Sequence, residues 1–372
     1  MPAPAVADAI DFSRVRRILV TKLRHHGDVL LASPVFTVLR RAAPHAEIDA
    51  LVYRETAPML ARHPAITELF TIDREWKRSG VLAQAAAEWR LWRTLARRDY
   101  DLVIHLTDHR RGAWLRRLVG ARHGVAPERS DEGRWWRKSF PHRYLLPPHG
   151  THRHTVEVNL DALRRIGLWP ADDEKALVLV PGPEAEGRAA ALLATHRLER
   201  GRYIVVHPGS RWLFKCWPAD ATAAIIDRVA EDGWQVVITG APDPAERALV
   251  DAILAATATP VVDLSGRISL SELAALIGGA RLFFGVDSAP MHMAAAMGTP
   301  TVALFGPSGE ADWGPWRVTH RVVASRAFPC RPCGNNGCGG SNHSDCLLTL
   351  PVSHVAAAIE ELLAEVPDPR RP

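Results

Sequence analysis

Three stretches of this 372-residue chain hold side chains whose type and spacing could do chemistry. In Lys22-Leu-Arg-His-His-Gly-Asp28 a carboxylate follows a glycine and is preceded by two cations and two imidazoles. Asp28 can take a proton from a hydroxyl as a general base. It can equally cap a helix that starts at Val29. In Val206-His-Pro-Gly-Ser-Arg-Trp-Leu-Phe-Lys-Cys-Trp217, Ser210, Arg211 and Lys215 share one loop, which suits an anion. The third stretch, FGVDSAPMHMAAAMGTPTVALFG, runs from residue 284 to 306. It reads as strand, tight turn, small-residue helix, turn and strand, with Asp287 and Ser288 at the N-cap and Gly298 at the stop. A helix N-terminus offers free N–H groups and a partial positive charge, a natural seat for a diphosphate. A plain βαβ unit with a capped helix would show the same pattern.

Such stretches act when they sit at the carboxyl ends of parallel strands. Apolar runs predict strands at residues 17–22, 48–53, 69–72 and 102–106, alternating with helices at 29–42, 56–62 and 81–97. Residues 1–13 read as a disordered lead-in. Residues 127–151 read as an irregular segment rich in Pro, Arg and Trp, ahead of a helix near 154–166. The polar stretch 167–176 (GLWPADDEKA) reads as a linker. The alternation then restarts, with strands at 203–207, 234–239, 261–264, 282–285 and 299–305. The intervening helices fall at 218–231, 244–255, 269–277 and 291–297, and a closing helix at 351–365. Ser269 and Glu272 form the Ser-x-x-Glu signature of a capping box. Strands alternating with helices imply parallel sheets covered on both faces. The expected fold is α/β: two tandem Rossmann-like doubly wound domains, residues 1–170 and 171–372, leaving a cleft between them.

Bulk properties narrow the function classes. A hydrophobic content of 47% is ample for two cores. No run approaches the roughly 18 uninterrupted apolar residues of a membrane span. Asp8 and Asp11 sit where a signal peptide would be basic and then apolar. The expectation is therefore a cytoplasmic protein with reduced thiols. The net charge is +5, and the excess is local. Residues 88–143 hold 14 Lys and Arg against 7 Asp and Glu, with five Trp. That composition is compatible with nucleic acid, an anionic membrane face, a phosphorylated substrate or a solvated surface. The loop LRHHGD lacks the G-x-G-x-x-G of a dinucleotide-dependent oxidoreductase.

In this order and spacing, the three stretches resemble the ADP-heptose:lipopolysaccharide heptosyltransferases, glycosyltransferase family 9, over nearly the whole chain. The wording KLRHHGDVLL and a cysteine loop at 325–349 look most like the subgroup called heptosyltransferase III. The resemblance implies the glycosyltransferase B fold. It also implies inverting transfer of L-glycero-D-manno-heptose from ADP-heptose to an inner-core heptose of lipopolysaccharide. No metal cofactor is implied, and the work would be done peripherally at the cytoplasmic face of the inner membrane. Asp28 matches the family's catalytic aspartate and Lys215 its diphosphate lysine. Ser210 and Arg211 match the phosphate-holding positions, Arg211 replacing a hydroxyl residue of relatives. Asp287 matches the residue that grips donor-sugar hydroxyls, and the amides of Ser288, Ala289, Met291 and His292 would complete the diphosphate seat. Ala289 stands where some relatives have Gly. Arg267 and Ile268 match the adenine side, and Glu246 could reach the ribose. Arg24, His25 and His26 would meet anionic Kdo or phosphate groups of the acceptor. The basic, Trp-bearing region would dock on lipid, and no nucleic-acid partner is implied. Heptosyltransferase I or II, acting on Kdo or the first heptose, stays open as an alternative, as does a non-catalytic sugar-nucleotide-binding protein.

Four of the five cysteines, Cys330, Cys333, Cys338 and Cys346, fall in that loop. Their spacing permits a structural tetrathiolate zinc site, with free thiols as the alternative. Cys216 lies beside Lys215, but no His base is evident at a nucleophile's spacing.

Overall fold

The computed structural model describes residues 6–78, 80–129, 131, 133–147 and 152–366. The chain divides into two compact units, Met1–Val178 and Leu179–Pro372.

The first unit is built on six strands: β1 (Arg17–Thr21), β2 (Glu47–Tyr53), β3 (Glu68–Ile72), β4 (Leu102–His105), β5 (His123–Pro127) and β6 (His142–Tyr144). All pairings are parallel, in the order β3-β2-β1-β4-β5-β6. Val20 lies opposite Ala50 of β2 and Ile104 of β4. The central strands are near-continuous apolar runs because helices cover both faces. Leu19, Leu51, Phe70, Val103 and Leu115 form one core cluster. Each such side chain contributes about 1.5–3 kcal/mol when fully buried.

The second unit holds β7 (Tyr203–His207), β8 (Gln235–Ile238), β9 (Val262–Asp263), β10 (Leu282–Val286), β11 (Thr301–Phe305) and β12 (His320–Ala324). Its order, β12-β11-β10-β7-β8-β9, repeats the wiring of the first sheet. Phe284 lies opposite Val206 of β7 and Val302 of β11. Val206, Trp217, Ile238, Phe284 and Leu304 share its core. Helix Leu270–Gly278 opens with the expected capping box, both reciprocal bonds between Ser269 and Glu272 being formed. Gly298 follows helix Ala289–Ala296 at φ +71°, the left-handed stop that glycine adopts most easily.

Several expectations need correction. Residues 29–42 are not one helix. The chain forms His26–Leu30, breaks, and restarts as Ser33–Ala42, because Pro34 belongs in a first turn where its missing N–H is harmless. The lead-in is packed from Ile10 onward, since Ile10 and Phe12 are buried and Asp11 caps the turn Phe12–Arg14. Residues 1–5 lie outside the described residues. The segment 127–151 holds helix Arg134–Ser139 and strand β6, with residues 130, 132 and 148–151 outside the described ones. Trp136 and Phe140 there are core residues against Ala113 and Ala126, so burial organises a stretch that reads as surface. Residues 167–176 lie within the first unit, where buried Glu174 pairs with Arg41 at 2.6 Å. Among the described residues no helix is long and apolar enough to cross a membrane.

Candidate active site

In a doubly wound sheet the strand order reverses at a switch point, and ligands bind beyond the strand ends there. In the first unit this point falls between β1 and β4. The loop after β1 carries Arg24, His25, His26 and Asp28. His25 is the N-cap of the five-residue helix, which places Asp28 in its first turn rather than at the cap. Asp28 is half-buried, and its carboxylate makes no hydrogen bond or ion pair among the described residues. The positions before it are engaged. Arg24 pairs with Asp108 at 3.3 Å, and His26 donates from Nε2 to the Glu55 carbonyl at 2.8 Å.

Two residues at this switch point were given no role of their own by the sequence reading. Lys22 is buried, and burial draws its ammonium down to about 8. His105 ends β4 and is fully buried. The Thr21 hydroxyl donates to its Nδ1 at 2.5 Å, Nε2 donates to the His109 carbonyl at 3.1 Å, and its ring stacks on Phe140. Burial pushes its pKa down to about 4, so it stands neutral and structural. The only local signal for either residue was a polar side chain at the end of an apolar strand.

In the second unit the switch point lies between β7 and β10. After β7, Ser210 is buried and accepts from the Trp212 amide, while Arg211 is exposed with its guanidinium 5.4 Å from the Trp212 ring centroid. The single turn Leu213–Lys215 then carries the lysine back over the sheet. Its Nζ donates to Asp287 Oδ2 at 2.6 Å, the two side chains being 21% and 7% exposed. Asp287 follows β10 directly and its amide bonds the Leu304 carbonyl. Ser288 is the N-cap of helix Ala289–Ala296, yet its hydroxyl makes no capping bond and is buried without a partner. The Met291 amide is taken by the Ser288 carbonyl, and the side chains of Met291 and His292 are buried in the unit. This leaves the amides of Ser288 and Ala289 as those with no backbone acceptor among the described residues.

The neighbouring strand ends carry the remaining donor candidates. Beyond β8, Glu246 is buried in the first turn of helix Pro244–Ala256 and accepts from the Ala241 amide at 3.0 Å. Burial raises its pKa. Its Oε2 lies 3.9 Å from His207 and so close beneath Gly209 that a Cβ there would come within 2.4 Å. A Cβ at 209 would therefore force the Glu246 carboxylate to move. Beyond β9, exposed Arg267 and half-buried Ile268 precede the capped helix. The donor candidates thus lie along four adjacent strands, β10, β7, β8 and β9. Burial pushes the Cys216 thiol up to about 12, which excludes it as a thiolate nucleophile near neutrality.

The cysteine loop follows β12. Four of its contacts run inward: Arg331 donates to the Gly306 and Ser325 carbonyls and pairs with Glu310, and Ser344 donates to the Phe214 carbonyl at 2.7 Å. Cys330, Cys333 and Cys338 are exposed and Cys346 is buried, all as free cysteines. Among the described residues no group of three or more His, Cys, Asp or Glu is placed to hold a metal ion, and the zinc site that the spacing permits is not seen.

Two parallel sheets of the same wiring, each with polar loops beyond its switch point, define a two-unit doubly wound α/β protein, a class that binds ligands at those strand ends. The family is particular. A model of glycosyltransferase family 9 (heptosyltransferase) matches residues 88–342, and the chain belongs to this family. It is 35% identical over 351 residues to lipopolysaccharide heptosyltransferase 3 of Escherichia coli strain K12, covering 92% of this chain and 97% of that one. Among solved structures it resembles the family 9 glycosyltransferase of Veillonella parvula, with TM-score 0.80, 24% identity and coverage of 97% and 100%. It also resembles E. coli heptosyltransferase WaaC with ADP-2-deoxy-2-fluoro heptose, with TM-score 0.70, 20% identity and coverage of 93% and 99%. The fold is accordingly of the glycosyltransferase B type.

Proposed function

We propose that this enzyme transfers a heptose from ADP-heptose to an inner-core heptose of lipopolysaccharide, with inversion at the anomeric carbon. The row of donor candidates along β10, β7, β8 and β9 carries the reading. Lys215 and the amides of Ser288 and Ala289 take the diphosphate, Glu246 the ribose, and Arg267 with Ile268 the adenine. Asp287, acceptor-only when ionised, suits the hydroxyls of the donor sugar. On the first unit Asp28 accepts the proton of the acceptor hydroxyl. The hydroxyl oxygen bonds the anomeric carbon as that carbon's bond to the diphosphate oxygen breaks. ADP departs with the bonding pair, and its growing charge meets Lys215 and the helix N-terminus. The names of the relatives, a heptosyltransferase 3 and an enzyme solved with an ADP-heptose analogue, support the same donor and acceptor.

The test is a panel of truncated lipopolysaccharides offered with ADP-heptose, read by mass for one added heptose. An inner-core heptose acceptor should be used, and transfer only to Kdo or to the first heptose would replace this reading with that of another subgroup. Asp28→Asn should abolish turnover while ADP-heptose still binds; near-normal turnover would remove Asp28 from the mechanism.

We further propose that the enzyme docks on an anionic membrane surface through helices Val81–Ala96 and Arg111–Leu118. Trp89 and Trp114, 59% and 61% exposed, stand there among arginines. Amphipathic rings and basic charge suit a lipid interface. Vesicle sedimentation should show more bound protein with anionic lipid; equal partitioning onto neutral vesicles argues against docking.

A further inference from the structure

Lys22 is the first residue beyond β1, 7% exposed, and has no ion pair within bonding distance among the described residues. Its Nζ donates to the Leu106 carbonyl at 3.1 Å and to Asn159 Oδ1 at 2.9 Å. Asn159 is buried on helix Thr155–Arg164, and its Nδ2 donates to the Leu31 carbonyl at 3.0 Å. Leu106 extends β4, and Leu31 closes the helix that carries Asp28. One chain of hydrogen bonds therefore grips both ends of the segment bearing Asp28 and ties them to β4 and to a distant helix.

A buried ammonium resting on two neutral acceptors is a costly way to fasten a loop. A methionine would fill the same space at the end of an apolar strand without a charge to desolvate. The charged groups acting on Lys22 are the carboxylates of Asp28 and Asp108, which favour the ammonium, and Arg24, which opposes it. His105, on the adjoining strand, is neutral. Burial outweighs the two carboxylates and brings Lys22 to about 8.

We propose that Lys22 and Asn159 are positioning residues for Asp28: the ammonium, pinned between Leu106 and Asn159, holds the loop in one geometry and sets a positive field beneath the carboxylate. This rests on the reading of Asp28 as the base.

The experiment compares wild type, Lys22→Met, Asn159→Asp and Asp28→Asn, measuring kcat and KM from about pH 6 to pH 10 alongside ADP binding and melting temperature. Wild-type kcat should fall as pH rises through about 8, when the ammonium loses its proton. Lys22→Met should lower kcat at least roughly tenfold below that pH and lack the alkaline fall, with ADP affinity kept. Asn159→Asp gives the ammonium a charged partner and should move the alkaline fall to higher pH. A Lys22→Met enzyme with wild-type kcat and profile overturns the proposal. If that variant does not fold, an Asn159→Asp profile superimposable on wild type overturns it instead. Near-normal turnover by Asp28→Asn refutes the base reading itself. An inactive Asp28→Asn beside indifferent Lys22 and Asn159 variants refutes only the positioning role.

Discussion

Replacing Lys215 with Met separates two roles of one side chain. Lys215 is bonded at 2.6 Å to an Asp287 carboxylate whose side chain is only 7% exposed. Removing one partner of a buried pair typically costs about 3–5 kcal/mol, because a desolvated charge is left behind. Two features reduce that here. Lys215 is 21% exposed, and Asp287 stands ahead of a helix N-terminus that favours an anion by about 0.3–1 kcal/mol. The expected loss is therefore about 2–3 kcal/mol, a fall of roughly 5–10 °C in melting temperature for a unit of this size. The catalytic loss is separate. A charge-assisted hydrogen bond to the diphosphate contributes about 1.5–3 kcal/mol, so kcat/KM should drop at least roughly tenfold. Initial rates of ADP release and thermal unfolding by circular dichroism measure the two effects on the same sample. The double variant Lys215→Met, Asp287→Asn removes the orphaned charge and should recover most of the melting temperature but not the rate. Rates for Lys215→Met within about threefold of wild type, with unchanged melting, would refute both parts of the reasoning.

Acid should unfold the first unit before the second. His63 and His105 in the first unit and His207 in the second are each buried and lowered from 6.5 to about 4. They are neutral when folded, while the unfolded chain binds protons from pH 6.5 downward, so stability is lost as pH falls from 6.5 to 4. Each contributes about 3 kcal/mol at full shift, and melting temperatures unchanged between pH 6.5 and 4.5 would contradict this. Gly112→Ala should destabilise the first unit by about 2–3 kcal/mol, since its Cβ would meet the His105 ring at 2.2 Å and that ring is fixed by Thr21, His109 and Phe140. Denaturant unfolding checks it, and a cost below 0.5 kcal/mol would mean the ring can move. Ser344→Ala should raise the donor KM roughly two- to fivefold through the Lys215 turn, because Ser344 holds the Phe214 carbonyl. Steady-state kinetics with an unchanged KM would show that the cysteine loop does not support that turn.

Much of this architecture was legible where local chemistry and global fold agree. The apolar run 282–285, the Ser269–Glu272 box and Gly298 each state a strand, a helix start or a helix stop in a few residues. The placement of Lys215 and Asp287 beyond β7 and β10 was legible for the same reason, since each follows a strong strand. What could not be read depends on contacts between residues far apart in the chain. Lys22 meets Asn159 across 137 positions, and Ser344 meets Phe214 across 130. No local pattern announces that Lys22 is buried rather than solvated, which is the usual fate of lysine. Strand β6 and helix Arg134–Ser139 were masked by their Arg and Pro content, yet Trp136 and Phe140 supply the core that orders them. Helix Pro183–Thr195 was passed over because its alanines give little periodicity to read.

The repeated wiring of the two sheets makes each half self-sufficient in its backbone pairing, with every strand partnered inside its own unit. Chemistry-bearing loops occupy equivalent strand ends in each, so the halves can be treated as exchangeable cartridges. A hybrid joining residues 179–372 to the leading half of a family member with another acceptor should keep this enzyme's appetite for ADP-heptose and inherit the other's choice of sugar to extend.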